Sequence, residues 1–263
     1  MAEMKYQVYG RAGRDVPTVV FSAGLGGSHH FWRPQIEALG ERFRIIGYDH
    51  RGTGANAEPL PENYSIEQMA ADVVELLDAD GSEGVHFIGH ALGAIIGFAL
   101  ARSNPTRVKS LIPVNGWMQV SKHTRRCFDA RCDLLLSSGA EAYVKAQPIF
   151  LYPSAWLEAH SEEVAHEEEI GIKNFQGADN LLRRIGALLK FDASPWLHEL
   201  NCPMLVAATR DDVLVPWTCS QTLAEKAAKA TLWVSAEGGH GFTAIAPEEF
   251  NKRAASFIEH AAS

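Results

Sequence analysis

The chain of 263 residues carries 24 Lys and Arg and 32 Asp and Glu, which gives a formal net charge of -8. Hydrophobic residues make up 46% and charged residues 21%, as in a typical globular protein. The acidic balance argues against nucleic acid and against anionic membranes as the main partner.

The sequence shows no pattern that is typical of a secreted, membrane-spanning or metal-binding protein. The stretch MAEMKYQVYG lacks the basic and apolar regions of a signal peptide. The longest apolar run, 91–101, is about half as long as a membrane-spanning helix. The four cysteines show neither CxxC nor Cys/His ligand spacing. We therefore expect a cytoplasmic protein with no membrane partner, no metal and no cofactor.

Short apolar segments that alternate with helical patterns predict the fold class. Six of them are typical of buried strands, at residues 18–22, 43–48, 85–88, 108–114, 204–208 and 231–235. Helical patterns lie at 66–77, behind a capping box of Ser65 and Gln68, and at 91–102, 218–229 and 248–260. Near-continuous apolar strands separated by helices favour an α/β fold, with a mostly parallel sheet covered on both faces.

One long segment departs from this alternation. Residues 117–196 show helical patterns without a convincing strand, between two segments that belong to the sheet. An insertion of that length is typical of a lid on the core. We predict a single α/β domain with a core of residues 1–116 and 197–263 and a helical cap of residues 117–196.

The turn after the third predicted strand carries the sequence Gly89-His90-Ala91-Leu92-Gly93. It matches the nucleophile-elbow pattern G-x-S-x-G, except that Ala91 stands where the serine would be. The glycines are needed because a side chain at either position would collide with the backbone of a tight turn. The pattern alone is weak, but its place between an apolar strand and an apolar helix favours an elbow.

Two further motifs follow predicted strands. Asp211-Asp212 comes after strand 204–208, and Gly238-Gly239-His240 comes after strand 231–235. Ligand sites in parallel sheets lie at the carboxyl ends of the strands, and the chain order elbow, Asp, His is that of a hydrolase triad. We therefore predict that Asp212 and His240 form a catalytic pair beside Ala91.

These motifs belong to a wider resemblance. The chain resembles α/β-hydrolases from end to end, and more closely the hydrolases of the Rut pathway of pyrimidine degradation. The core stretches that carry it are 24–27, 48–54 and 89–94, and the more specific cap stretches are 114–117, 123–128, 146–153 and 180–184. The resemblance implies a hydrolase of aminoacrylate or carbamate, products of uracil ring opening. It also includes an alanine at the elbow.

The alanine limits the chemistry. A methyl group cannot attack a carbonyl, so an acyl-enzyme at Ala91 is excluded. A His240 side chain oriented by Asp212 can still polarise a water molecule. By the motif, the backbone N–H groups of Leu25 and Leu92 form an oxyanion hole that does not depend on the side chain at 91. The imine form of aminoacrylate needs only the addition of water, so we predict direct attack by water assisted by His240.

An anionic substrate calls for a cationic contact. Two adjacent pairs of arginines lie in the cap, Arg125-Arg126 and Arg183-Arg184, and a guanidinium matches a carboxylate in bidentate fashion. Neighbours on a helix point in different directions, so at most one of each pair should face the pocket. We also predict Asn115 and Trp117 as substrate-binding residues, because they follow strand 108–114, although packing at the cap hinge would explain Trp117 equally well.

Two alternatives stay open. One is a non-catalytic homologue that binds a small ligand in the capped pocket, and the other is a serine esterase or amidase with an engineered Ser-to-Ala change at residue 91. The presence of both Asp212 and His240 argues against the first, and the resemblance argues against the second. We expect a small anionic molecule as the partner, with a homodimer as one option for the assembly.

Overall fold

A seven-stranded sheet forms the centre of the computed structural model, which describes residues 3–13 and 15–262. Its strands are Tyr6–Gly10 (β1), Thr18–Ser22 (β2), Arg44–Tyr48 (β3), Val85–His90 (β4), Val108–Val114 (β5), Met204–Thr209 (β6) and Ala230–Ser235 (β7). Their order is β1-β3-β2-β4-β5-β6-β7. β1 runs antiparallel to β3, whereas the other neighbouring strands are parallel. The six predicted strands are confirmed, and β1 is an additional edge strand.

The α-helices cover the sheet and form the segment between β5 and β6. They are Arg33–Gly40 (α1), Ile66–Asp80 (α2), Leu92–Ser103 (α3), Lys122–Leu151 (α4), Ser154–Ala159 (α5), Ser161–Lys173 (α6), Ala178–Lys190 (α7), Trp217–Lys226 (α8), Phe242–Ile245 (α9) and Pro247–Ala262 (α10). The predicted helix 218–229 ends three residues early, where Ala227 adopts an extended conformation. Within the described ranges, no helix is long and apolar enough to cross a membrane.

Local sequence signals determine how α2 begins and ends. The Ser65 hydroxyl accepts a hydrogen bond from the Gln68 amide at 3.3 Å, and the Gln68 side chain accepts one from the Ser65 amide at 2.8 Å. This is the predicted capping box, which satisfies two amides that have no partner within the helix. At the other end Gly81 has φ 73°, a left-handed conformation that glycine adopts without steric cost.

Two buried clusters lie on opposite faces of the sheet. Within β2, Val20 belongs to the cluster that contains Leu76 of α2, whereas Val19 belongs to the cluster that contains Leu39 of α1 and Phe250 of α10. Neighbouring strand residues point to opposite faces, and both sets are buried. The sheet therefore has helices on both faces, which confirms the predicted α/β class.

The segment between β5 and β6 contains α4, α5, α6 and α7, which we call the cap helices. A short bridge between Gln119 and Asp192 joins the two ends of this segment. Phe128 of α4 and Ile185 of α7 belong to the same buried cluster as the sheet residue Val20, so the cap helices pack on the core. The core bounds 1–116 and 197–263 and the cap bounds 117–196 stay predictions.

Candidate active site

The turn between β4 and α3 is strained at its centre. Ala91 has φ 49° and ψ -102°, a backbone conformation that residues other than glycine rarely adopt. A Cβ atom at Gly89 would lie 2.3 Å from the backbone carbon of Gly93, and one at Gly93 would lie 2.2 Å from the carbonyl oxygen of Ser22. Both glycines are therefore required by close backbone contacts, as the elbow pattern predicts.

The predicted pair Asp212 and His240 is assembled and buried. Asp212 Oδ2 lies 2.7 Å from His240 Nδ1, and the two side chains are 0% and 3% exposed. Asp212 Oδ1 accepts hydrogen bonds from the amides of Leu214 and Val215, both at 2.8 Å. The carboxylate is held by these two amides, so it keeps the proton of the imidazole on Nδ1 and leaves Nε2 as the basic atom.

The loop that carries His240 is fixed by the residues beside the pair. The carboxylate of Asp211 accepts hydrogen bonds from the amides of Gly238 and Gly239, at 3.1 and 2.9 Å. The hydroxyl of Thr209 donates to the carbonyl of Gly239 at 2.7 Å. Asp211 therefore positions the loop while its neighbour orients the imidazole, a division of roles that the sequence motif alone did not reveal.

The backbone carbonyl of His240 is held by two side chains. His90 Nε2 and Asn115 Nδ2 lie 2.9 and 2.8 Å from this oxygen and donate to it. Burial and the neighbouring His240 hold the pKa of His90 well below its usual range, so its ring stays neutral. Asn115 is 1% exposed and does not line the cavity, so the structure places this predicted substrate-binding residue behind His240.

A cavity of about 1370 Å³ opens over this site, between the core loops and the cap helices. The predicted site residues that line it are Leu25, Ala91, Leu92, Trp117, Arg183 and His240. Trp117 also belongs to the buried cluster, so it is both a wall of the cavity and a packed residue. The elbow residue Ala91 and the imidazole-bearing His240 therefore line the same cavity.

Comparison with known proteins decides the family. A family model of the α/β-hydrolase fold matches residues 17–134. RutD of Caulobacter sp. strain K31, provisionally named a carbamate hydrolase, is 47% identical over 253 residues, 96% of this chain and 94% of its own length. RutD of Agrobacterium fabrum strain C58, which bears the same provisional name, is 45% identical over 255 residues, 97% and 98% of the two chains. The chain belongs to the RutD family of α/β-hydrolases.

Solved structures agree with this assignment. A hydrolase from Pseudomonas aeruginosa PA01 has a TM-score of 0.85 and 27% sequence identity, over 96% of this chain and 93% of that chain. Membership of the RutD family confirms the predicted resemblance and the α/β-hydrolase fold. It also confirms that the chain is a hydrolase.

Two backbone amides of this RutD-family hydrolase are available at the elbow. Leu92 is the first residue of α3, and the amides of the first helical turn have no acceptor within the helix. Leu25 lies in the loop after β2, and its amide makes no hydrogen bond to another described residue. Both residues line the cavity together with Ala91, and their role as an oxyanion hole stays a prediction.

The arginine pairs of the RutD-family cap are separated by the structure. Arg125 and Arg126 are exposed, and Arg125 donates to the carbonyl of Leu189 at 3.1 Å; neither lines the cavity. Arg183 does line it, and its guanidinium donates to the carbonyl of Leu60. Of the four arginines predicted to bind substrate, only Arg183 lines the cavity.

Arg184 lies behind the cavity wall. It is 0% exposed, donates to the hydroxyl of Thr53 and lies 3.4 Å from the carbonyl oxygen of Leu25. A Cβ atom at Gly27 would lie 2.4 Å from its guanidinium. Burial lowers the pKa of Arg184 to about 10, so it stays charged. It supports the loop of the predicted oxyanion hole rather than contacting a ligand.

Arg131 is a charged residue of the cavity that was not predicted from the sequence. Arg131 of α4 is 4% exposed and lines the cavity. Its guanidinium donates to the hydroxyl of Tyr143 at 2.8 Å and to the side-chain oxygen of Gln147. The buried stripe along α4 is formed by Thr124, Phe128, Arg131 and Leu135. The sequence signal that could have identified Arg131 is its position, three or four residues from buried neighbours on the same face of the helix.

Metal ligands and disulfides are not part of the described site. Among residues 3–13 and 15–262, no group of three His, Cys, Asp or Glu side chains is placed to hold a metal ion. The four cysteines are free thiols. The polar groups described at the site are the imidazole of His240, the carboxylate of Asp212, the backbone amides and the arginines.

Proposed function

We propose that the chain is a cofactor-independent hydrolase of C–N bonds that uses water, activated by His240, to hydrolyse aminoacrylate or carbamate in uracil degradation. The main observation behind this proposal is that the elbow and His240 line the same cavity. Ala91 stands at the strained centre of the elbow, and His240, which is paired with the buried Asp212, lines the same cavity. The provisional name carbamate hydrolase of the RutD relatives supports the class of substrate.

The order of events follows from the atoms available. A water molecule beside Ala91 is deprotonated by His240 Nε2 as its oxygen bonds to the substrate carbon. Asp212 stabilises the imidazolium that forms. The imidazolium then returns the proton to the substrate nitrogen. In carbamate the C–N bond breaks at this point and releases ammonia. The imine instead becomes a carbinolamine, and ammonia leaves when His240 carries the proton of the new hydroxyl group to the nitrogen as the C–N bond breaks. From the imine of aminoacrylate the other product is an aldehyde; from carbamate it is bicarbonate.

The amides of Leu25 and Leu92 would act where an oxyanion develops. Attack of water on carbamate places extra negative charge on oxygen, which backbone donors stabilise in an enclosed site. Arg184 strengthens this loop by its contact with the Leu25 carbonyl. Loss of one such donor typically lowers the rate by ~100-fold or more, so the hole is useful without a serine.

The structure favours catalysis over simple binding. Ala91 keeps a backbone conformation that costs about 1–3 kcal/mol. The buried carboxylate of Asp212 makes three hydrogen bonds: two amides hold it in place, and the third orients the imidazole of His240. A receptor needs neither the strained turn nor an oriented base, so these features support an enzyme.

The test uses freshly generated aminoacrylate and, separately, carbamate, followed at short times against their spontaneous decay. We expect the purified protein to accelerate loss of at least one of them, with ammonia released in equal amount. The control is the Arg126→Gln variant, which changes an exposed residue away from the cavity and should keep the full rate. Decay of both substrates at the uncatalysed rate would contradict the proposed function.

A further inference from the structure

The cavity contains a buried cation without an acidic partner. Arg131 is 4% exposed, and among the described residues no carboxylate forms an ion pair with it. Arg51, which is equally buried, is paired with three carboxylates. Buried charges are usually paired, because an isolated one loses its hydration without compensation. Within the described ranges, Arg184 is also buried without a carboxylate partner, but it does not line the cavity. Arg131 does line it, so a ligand in the cavity can supply its counter-ion.

The surroundings of Arg131 leave part of the guanidinium available. Phe128, Tyr143 and Phe150 place their rings 5.0, 5.4 and 5.5 Å from its central carbon. Hydrogen bonds to Tyr143 and Gln147 come from one terminal nitrogen, and the buried Nε has no partner. The rings and the two acceptors orient the group, while unused N–H donors remain for a ligand.

Tyr143 adds a further donor beside the guanidinium. Its hydroxyl accepts from Arg131, and burial raises the pKa of the phenol, so the hydroxyl keeps its own proton. Tyr143 and Arg131 both line the cavity. A guanidinium and a neutral hydroxyl side by side match the two oxygens of a carboxylate.

We infer that Arg131, together with Tyr143, binds a substrate carboxylate that is separate from the carbon at which hydrolysis occurs. The reacting carbon has to lie at the elbow and His240, which are held by core loops. Arg131 is held by residues of α4 and makes no hydrogen bond to those loops. Arg131, Tyr143, Ala91 and His240 line one cavity of about 1370 Å³.

This inference rests on the proposed function and makes it more specific. In aminoacrylate the carboxylate is not the reacting carbon, so both parts of the cavity can be used at once. In carbamate the carboxylate carbon is itself attacked, so it cannot lie at Arg131 during the reaction. Arg131 therefore favours aminoacrylate, or another small amino acid derivative with a carboxylate, over carbamate.

The kinetic test compares Arg131→Gln with the matched control Arg126→Gln, an exposed arginine of the same helix. We expect the KM for aminoacrylate to rise about 10- to 100-fold in Arg131→Gln, because charge-assisted hydrogen bonds usually contribute this much to binding affinity. The kcat and the KM for carbamate should change less than about 3-fold. Unchanged kinetics for aminoacrylate would overturn the inference even if the enzyme hydrolyses it.

A binding test separates this inference from the proposed function. Propanoate and its neutral counterpart propanamide are titrated into the full-length protein and followed by ligand-observed NMR. The wild type should bind propanoate at least about 10-fold more tightly, and Arg131→Gln should remove this preference. That result would support the site even if neither proposed substrate were hydrolysed. Equal binding of the two probes by the wild type would overturn it.

Thermal unfolding distinguishes a ligand-binding arginine from a structural one. Arg131→Gln removes a buried charge that has no acidic partner but also removes the hydrogen bonds to Tyr143 and Gln147. The two effects oppose each other, so the variant should unfold within a few degrees of the wild type. A lower unfolding temperature together with unchanged propanoate binding would contradict the inference. If the Gln variant does not fold, Arg131→Lys keeps the charge but loses the planar group, and it should weaken propanoate binding about 10-fold.

Discussion

Substitution of Asp212 by asparagine tests how the imidazole is oriented. Oδ1 of Asp212 accepts from the amides of Leu214 and Val215, both at 2.8 Å. An asparagine must keep its oxygen at these two donors, because its NH₂ group would meet them donor to donor. The NH₂ group then donates to His240 Nδ1, so the imidazole proton moves to Nε2 and the base is lost.

The size of the effect follows from this change of tautomer. A positioned general base contributes about 10²- to 10⁴-fold, and the equivalent change in a serine protease triad lowers kcat about 10⁴-fold. We expect kcat of Asp212→Asn to fall by 10²- to 10⁴-fold, about 3–5 kcal/mol, with KM nearly unchanged. All three hydrogen bonds of the side chain are kept, although the one to His240 reverses its direction, so the unfolding temperature should fall by only a few degrees.

The assay is the initial rate of ammonia release from freshly generated aminoacrylate, with thermal unfolding of the same samples. Asp211→Asn is the control, since its carboxylate holds the amides of Gly238 and Gly239 rather than the imidazole. It should slow the reaction much less than Asp212→Asn. A wild-type rate in a folded Asp212→Asn protein would refute the role of the pair.

Three further predictions concern stability. Gly93→Ala should cost more than about 3 kcal/mol, because its Cβ would meet a backbone carbonyl at 2.2 Å; Gly26→Ala, with open space around it, should be nearly neutral, and urea unfolding compares the two. Ala91→Gly should relieve backbone strain at φ 49° and raise the unfolding temperature by roughly 2–4 °C, or about 1 kcal/mol; an unchanged or lower temperature would count against strain. Burial lowers the pKa of His50 to about 3 and, with the neighbouring His240, holds that of His90 well below its usual range. The unfolded chain therefore binds more protons than the folded protein below about pH 6.5. As the pH is lowered from there, the free energy of unfolding should decrease by about 1.4 kcal/mol per pH unit for each of these two histidines. A flat urea midpoint between pH 6.5 and 4 would contradict these assignments.

The central strands and the elbow could be predicted because local signals determine them. Strands such as β5 are almost entirely buried, so an apolar run marks them without information about their neighbours. The edge strand β1 was not predicted, because only Tyr6 and Tyr9 are partly buried and its other residues are exposed. Its place depends on pairing with β3, a contact between distant segments that no local pattern reveals.

The polar residues of the cavity were harder to predict, because their role depends on tertiary packing. Adjacency led to the pair Arg125-Arg126, which the structure places on the surface. Arg131, five residues further along α4, lies in the cavity because it occupies the buried stripe of that helix. Asn115 follows β5 as predicted, but its amide holds the His240 carbonyl instead of a ligand.

The most direct test of the mechanism is the turnover of His240→Ala with and without added imidazole. The proposed mechanism has one basic atom, His240 Nε2, and no nucleophile at Ala91. We therefore expect the enzymatic rate above spontaneous decay to fall at least about 100-fold and to recover in part when imidazole is supplied. A folded His240→Ala protein that hydrolyses aminoacrylate at the wild-type rate would contradict it.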